Sequence, residues 1–191
     1  MKLGSESYKA DLNFIILTLI IISAILFIIL LKSTAWKYYY SHDIVITDGV
    51  IYRSGESSPF TGRILDTLNN KIIVEYDVVN GLKNGEFFLS TLNGNFTVYG
   101  FINNNKNVGT WQYFYESGQL ESTGDFNNDE PIGKWIWYYQ NGVKKCEGIY
   151  LKGQPEGRWV KFDEQSNPSM IINYERGEVV SEVKINKPKM V

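Results

Sequence analysis

Apolar and polar residues alternate through short runs along most of the chain after residue 43. Runs rich in aromatic residues, such as residues 111–115 and 135–139, are separated by polar stretches containing Gly, Asn and Asp. Alternation over four to eight residues is typical of a half-buried β-strand, because successive side chains point to opposite faces. The pattern predicts an all-β domain over residues 44–180, followed by a C-terminal tail at 181–191.

The same pattern returns every 24 residues. Each unit opens with a glycine that is followed two places later by an aromatic residue, at Gly85, Gly109, Gly133 and Gly157, and a weaker copy begins at Gly62. Further glycines occupy the tenth and sixteenth positions of the units, as at Gly94, Gly118 and Gly142 and at Gly100, Gly124 and Gly148. A fixed period of this length predicts a row of supersecondary units that share one core.

Each unit is predicted to be one β-hairpin. Asn141-Gly142 separates two short runs, and Asn-Gly favours a two-residue type I′ turn because both central residues need positive φ. The third residue then pairs with the sixteenth, the fifth with the fourteenth and the seventh with the twelfth. An aromatic ring thus lies opposite a glycine of its own hairpin, as Trp135 does opposite Gly148, and can cover it. We expect an elongated single-layer antiparallel sheet.

Alternation also predicts which side chains share a face. One consistently apolar face collects Phe87, Leu89, Phe96, Val98, Trp111, Tyr113, Tyr115, Leu120, Trp135, Trp137, Tyr139, Cys146, Trp159 and Met170. Tyr and Trp dominate interface hot spots, since they bury much area at low rotamer cost. The predicted partner-binding residues are Trp111, Tyr113, Tyr115, Trp135, Trp137, Tyr139 and Trp159. The alternative is that these rings only form the core of a thin sheet.

The ends of the repeat array differ from its middle. Residues 44–61 precede the first unit and are expected to cap that end of the array. The last full unit departs from the pattern, with Gln165-Ser-Asn-Pro168 in place of Asn-Gly and Ile172 at the sixteenth position. Terminal repeats are commonly atypical because one side of them faces water.

Residues 14–31 form an apolar run that contains two hydroxyl residues, Thr18 and Ser23, and no charge. As a helix this run is about 27 Å long, close to the roughly 30 Å thickness of the hydrocarbon layer. It predicts a transmembrane helix between an N-terminal tail at 1–13 and a juxtamembrane linker at 32–43 with an aromatic belt. A cleavable signal ending at Ala35 is the alternative, which the length of the run and Lys32 disfavour. Lysines flank the run equally, and the free amino terminus favours an exported repeat domain.

The amino-acid composition disfavours several classes of function. The chain has 19 Lys and Arg against 21 Asp and Glu and a net charge of −2, which disfavours a nucleic-acid binder. His42 is the single histidine and Cys146 the single cysteine, so a His-based general base or a His/Cys zinc site lacks further members. We predict a non-enzymatic protein with no catalytic residues, cofactor or metal.

The motif of Gly133-Lys-Trp135, Tyr138-Tyr139, Gly142 and Gly148-Ile-Tyr150 resembles the variant MORN repeat. Residues 52–62 are similar to the leader that often precedes such repeats in bacterial proteins. The resemblance implies an antiparallel sheet of successive hairpins with no catalytic residues. Many bacterial members are YwqK-like antitoxins, which would neutralise a toxin by binding it, and others are attributed to membrane association or scaffolding. The apolar run at 14–31 departs from the soluble antitoxin pattern.

The sequence thus predicts a single-pass protein of the bacterial inner membrane, anchored by residues 14–31. Its repeat domain would be an interaction module or scaffold for a protein partner, including an antitoxin-like or immunity-like role. The alternative is a structural envelope protein that binds lipid headgroups or cell-wall glycan.

Overall fold

The structure, a computed structural model, describes Ser23 and residues 38–185. The chain divides into two units, Met1–Lys37 and Tyr38–Val191. Ser23 is helical, and the rest of the predicted membrane helix at 14–31 lies outside the described residues. Within the described residues, no helix is both long and apolar enough to cross a membrane.

The second unit is built from strands, as the alternation predicts. The strands are β1 (Tyr38–Tyr40), β2 (Ile44–Thr47), β3 (Val50–Arg53), β4 (Gly62–Leu68), β5 (Ile72–Val79), β6 (Leu82–Thr91), β7 (Phe96–Asn103), β8 (Lys106–Phe114), β9 (Leu120–Asn127), β10 (Glu130–Tyr138), β11 (Lys144–Leu151), β12 (Gln154–Phe162), β13 (Pro168–Glu175) and β14 (Glu178–Lys184). A 3₁₀ turn, Ser41–Asp43, follows β1. From β4 to β14 the sheet runs antiparallel in chain order, and β1 pairs with β4 in parallel.

Two element boundaries differ from the sequence prediction. β1 lies inside the stretch interpreted as a juxtamembrane linker at 32–43, where Tyr38–Tyr40 pairs with β4. At the other end, β14 continues to Lys184, into the predicted tail, because it pairs with β13 from Glu178 onward. Parallel pairing between distant segments leaves no local pattern in a sequence, so the first difference could not be read from residues 32–43.

The repeats are hairpins, but their turns are arranged differently from the prediction. Within a unit the Tyr139 N–H donates to the Val143 carbonyl (2.8 Å), the Gly142 N–H donates to the Tyr139 carbonyl (2.9 Å), and Gly142 has φ 80°. This is a three-residue loop with one left-handed residue at its end. Paired left-handed residues, the requirement of type I′ turns, instead join successive units, as at Asn128 (φ 50°) and Asp129 (φ 71°).

The cross-strand register agrees with the prediction until it reaches the loop. Trp111 pairs with Gly124 and Trp135 with Gly148, the predicted third-to-sixteenth pairs. Trp137 pairs with Cys146, a predicted fifth-to-fourteenth pair. The seventh-to-twelfth pairing is wrong, because a bulge next to the three-residue loop shifts the register by one residue.

The hairpin of β2 and β3 packs at the β4 end of the sheet. It contributes Ile51 to a buried cluster with Phe60, Ile64 and Val78. The Ile51 N–H donates to the Gly81 carbonyl (2.8 Å), which fixes the hairpin to the turn between β5 and β6. The hairpin therefore packs against this end of the sheet, while Tyr38–Tyr40 pairs along the edge of β4, and a cap formed by residues 44–61 stays a prediction.

Candidate functional site

Three tryptophans lie on glycines of the preceding repeat. Trp111 covers Gly100, Trp135 covers Gly124 and Trp159 covers Gly148. A Cβ atom placed on any of these glycines would overlap the indole, so no other residue fits without a shift. The prediction that a ring covers the glycine opposite it in its own hairpin is wrong, although the backbone register is the predicted one. The rings link neighbouring units instead.

A bulge at the first glycine of each unit accounts for this placement. Between β9 and β10 the pairs Ile132–Asp125 and Ile136–Thr123 flank a stretch in which three residues face Gly124 alone. The first of the three, Gly133, has φ 64° and makes the bulge possible. The extra residues carry the third one, Trp135, over the neighbouring strand. Gly109 and Gly157 have φ 64° and 65° at the equivalent position.

The indoles are buried and their polar atoms are satisfied. Trp111, Trp135 and Trp159 are 5%, 6% and 8% exposed. Their N–H groups donate to backbone carbonyls ten residues earlier, at Phe101 (3.2 Å), Asp125 (3.3 Å) and Ile149 (3.2 Å). A buried tryptophan with its N–H paired is a complete core residue.

Other aromatic rings close the stack around each indole. Phe126 meets Trp135 edge to face, with 5.2 Å between the ring centroids, and Trp137 stacks on it at 5.8 Å. Tyr113 and Tyr150 complete its surroundings at 6.4 and 5.9 Å. We call this side of the sheet the tryptophan face. It forms the core that the repeats share.

The seven predicted binding residues do occupy related positions on this face, but much of their surface is used within the sheet. Tyr113, Tyr115, Trp137 and Tyr139 are half-buried. The Tyr115 hydroxyl donates to the Tyr138 carbonyl (2.7 Å), and the Tyr139 hydroxyl donates to the Phe162 carbonyl (2.8 Å), each in the next unit. Partner binding by these rings stays a prediction.

The opposite side of the sheet carries a second set of rings, which we call the aromatic cluster: Phe88, Phe96, Tyr99 and Phe101. Phe88 lies 5.5 Å from Phe96 and 5.1 Å from Tyr99 between centroids, and Tyr99 lies 5.4 Å from Phe101. Phe96 is 48% exposed and Phe101 38%. These rings are thus more accessible than the indoles of the tryptophan face.

Two residues predicted for the tryptophan face lie on this opposite side. Phe96 pairs with Ser90 after a register shift, which turns its ring toward Phe88. Leu120 pairs with Phe114 after the same kind of shift. Directly paired residues share a face, so the bulge beside each hairpin loop moves these side chains to the other side.

A shallow depression of about 330 Å³ lies at the aromatic cluster. Its lining consists of Glu86, Phe88, Phe96, Tyr99, Gln112 and Phe114. The rings form an apolar floor, and Glu86 places a carboxylate, 42% exposed as a side chain, at the depression. An apolar hollow with a few polar groups is a common form of binding site.

A set of ion pairs adjoins the depression. The Arg63 guanidinium contacts Asp77 (2.7 Å), Glu86 (3.0 Å) and Glu75 (4.0 Å). It also lies 5.5 Å from the centroid of the Phe88 ring. The hydrogen bonds that Arg63 donates to Asp77 raise the pKa of Arg63 above its usual range, and the hydrogen bond to Glu86 acts in the same direction, whereas burial opposes the shift. Asp77 also accepts from the Glu86 backbone N–H (3.0 Å), so the network fixes the position of Glu86.

Other reactive groups are scattered. Glu147 accepts hydrogen bonds from Lys134 (2.8 Å) and Lys144 (2.9 Å), which lower its pKa. Burial raises the pKa of the half-buried Cys146 thiol. His42 is exposed beside Asp43. Within residues 38–185 no group of three or more His, Cys, Asp or Glu is placed to hold a metal ion.

The aromatic cluster was not identified as a site from the sequence, although the alternation of residues predicts part of it. Phe88 follows Phe87 directly, and adjacent strand residues must face opposite sides. Tyr99 and Phe101 likewise alternate with Gly100. The position of Phe96 could not be obtained in this way, because it depends on the bulge between Leu89 and Ser90.

Comparison with protein families gives a match in the middle of the sheet. No curated protein matches the chain. Residues 107–128 and 131–152 match the MORN repeat variant, and the two segments coincide with the β8–β9 and β10–β11 hairpins in the middle of the sheet. These two hairpins are therefore similar to the MORN repeat variant, a family that suggests a repeat-type binding or scaffold module.

Proposed function

We propose that this chain is a membrane-anchored, non-enzymatic scaffold that binds a protein partner through the aromatic cluster. The observation that carries the proposal is the accessibility of Phe96 and Phe101, 48% and 38% exposed, within a group of rings in mutual contact. Exposed apolar patches on soluble domains commonly mark interaction sites. Aromatic residues are also the ones that supply most interface binding energy.

The division between the two faces supports this choice of surface. The tryptophan face is closed by its own rings, and its indole N–H groups are paired. The rings of the aromatic cluster are not buried to the same extent, because two of the four remain open to solvent. A partner would therefore gain more buried apolar area on the cluster than on the indoles.

The membrane anchor is part of the proposal and rests on the sequence of residues 14–31. An uncharged apolar run of this length favours a spanning helix. The anchor would hold the repeat sheet at the membrane and limit the search for a membrane-associated partner. A toxin is one partner class, supported by the resemblance to YwqK-like antitoxins. A reporter fused after Val191 would establish the side of the membrane on which the sheet lies.

Photo-crosslinking tests the binding surface in cells that express the full chain. We expect benzoylphenylalanine in place of Phe101 to give a discrete protein adduct. The same group in place of Lys161, which pairs with Cys146 on the tryptophan face, should give at least about fivefold less protein adduct than the group at position 101. Phe96→Ser should weaken the adduct at 101.

Three outcomes would contradict the proposal. A stronger adduct at 161 than at 101 would return binding to the tryptophan face. Adducts at 101 with lipid or glycan alone would favour the structural envelope role. The absence of any adduct at 101, with the chain present in the membrane at normal levels, would remove the proposed site.

A further inference from the structure

We propose that the aromatic cluster receives an arginine or lysine side chain of the protein partner. The inference rests on the proposed function and adds the chemistry of the group that enters the site. It follows from two features that meet at Glu86: an excess of carboxylates and a set of accessible aromatic rings.

Negative charge exceeds positive charge beside the depression. Three carboxylates, those of Glu75, Asp77 and Glu86, contact the single guanidinium of Arg63. With all four groups ionised, two negative charges in this network remain unbalanced. Asp77 is buried, whereas the Glu86 side chain is 42% exposed and also lines the depression. An arriving cation therefore meets an accessible carboxylate there.

The rings favour the same kind of group. The face of an aromatic ring carries partial negative charge and attracts cations within about 6 Å of its centroid. Arg63 already makes such a contact with Phe88, at 5.5 Å. Phe96 and Phe101 belong to the same cluster of rings and have accessible surface. A second cation over either ring would combine this attraction with pairing to Glu86.

Other partner groups fit less well. An anionic side chain would approach Glu86 and the two further carboxylates of the network, and like charges brought together cost free energy. The guanidinium that could offset this is engaged by three carboxylates. A purely apolar group would cover the rings and leave Glu86 partly desolvated without a new partner. The cationic side chain satisfies both features.

The test uses the full chain in nanodiscs of phosphatidylcholine, whose zwitterionic headgroups add no net charge. Three peptides serve as probes: acetyl-Gly-Arg-Gly-amide, its lysine counterpart and its citrulline counterpart, which keeps the shape of arginine without the charge. Binding is followed by NMR of ring-labelled phenylalanine. We expect the arginine peptide to shift the resonances of Phe96 and Phe101 with a Kd at least about fivefold below that of citrulline.

Variants assign the effect to the two features. Glu86→Gln should bring the Kd values of the arginine and citrulline peptides to within about twofold of each other. Phe96→Leu should raise the Kd of the arginine peptide at least about threefold. Two matched controls should leave it unchanged: Glu178→Gln, on β14, and Leu92→Ala, an exposed apolar residue near Phe96 in sequence. Phe96 is exposed, so its variant should fold even if Glu86→Gln disturbs the ion pairs.

Equal affinity of the arginine and citrulline peptides would overturn the inference, as would shifts confined to other phenylalanines or no shift at millimolar peptide. The proposed function would still stand if photo-crosslinking from position 101 gave a protein adduct that Phe96→Ser weakens. If photo-crosslinking gave no protein adduct but the arginine peptide bound selectively, the cation site would stand and the protein-binding role would be contradicted.

Discussion

The indole of Trp135 lies on Gly124, which belongs to the preceding repeat, while Trp135 pairs through its backbone with Gly148 of its own hairpin. One residue thus takes part in two contacts, one inside a unit and one between units. The interlock repeats at Trp111 with Gly100 and at Trp159 with Gly148. Repeat proteins gain stability from interfaces between neighbours, and these contacts supply one.

Gly124→Ala tests this interlock. The added methyl group would overlap the indole of Trp135, so we expect a loss of about 2–3 kcal/mol in the free energy of unfolding. Urea denaturation of the full chain in micelles, followed by tryptophan fluorescence, provides the measurement. In a Trp135→Leu background the same substitution should cost less than about 1 kcal/mol, since the ring is no longer in the way. An equal cost in both backgrounds would show that the indole is not the obstacle.

Tyr139→Phe should remove a contact between units without changing shape. The hydroxyl of Tyr139 donates to the Phe162 carbonyl at 2.8 Å, and its loss should cost about 1 kcal/mol. The neighbouring Tyr138 is a matched control, because its hydroxyl makes no hydrogen bond to the described part of the chain, and Tyr138→Phe should be nearly neutral. Equal losses for the two variants in urea denaturation would contradict the role of the Tyr139 hydroxyl.

Stability should fall with acid partly through Glu147. Hydrogen bonds from Lys134 and Lys144 lower the pKa of Glu147 in the folded chain below its ordinary value of 4.5. Its contribution is therefore present above about pH 4.5 and is lost as the pH falls through the lowered folded pKa. The free energy of unfolding of the wild type should exceed that of Glu147→Gln by about 0.5–1 kcal/mol near pH 7, and the difference should vanish in acid. A difference that persists at pH 2 would mean that the carboxylate charge is not responsible.

Cys146 should react slowly with thiol reagents in the folded chain. Burial raises the pKa of its thiol above the usual 9.0, with Lys161 and Lys145 opposing the shift, so little thiolate forms at pH 8. We expect a disulfide-exchange reagent to label it at least about tenfold more slowly than it labels free cysteine, with the rate restored in urea. Native labelling as fast as that of free cysteine would contradict the burial of this side chain.

Much of the fold follows from local patterns in the sequence. The 24-residue period, the hairpins and the pairing of Trp111 with Gly124 depend on alternation and turn residues, which act over a few positions. Which glycine each indole covers cannot be predicted from local patterns, because it depends on the bulge at Gly133 and its equivalents. The parallel strand β1 was beyond prediction for the same reason, since its partner is distant in sequence.

The candidate site was harder to predict than the fold. The sequence identified the tryptophans as large apolar residues on one face, but their burial depends on rings from neighbouring units, such as Phe126 and Trp137 around Trp135. The aromatic cluster was hidden by a single-residue shift, because the bulge after Leu89 moves Phe96 to the side of Phe88. A one-residue change in register reverses the face of every following side chain.

We propose that the tryptophan face holds the sheet together, whereas the aromatic cluster binds a partner. A direct comparison of the free energies of unfolding of Trp135→Ala and Phe101→Ala tests it. We predict a loss of about 3–5 kcal/mol for the buried indole and less than about 1 kcal/mol for the exposed ring. Similar losses for both variants, or a larger loss for Phe101→Ala, would contradict the account.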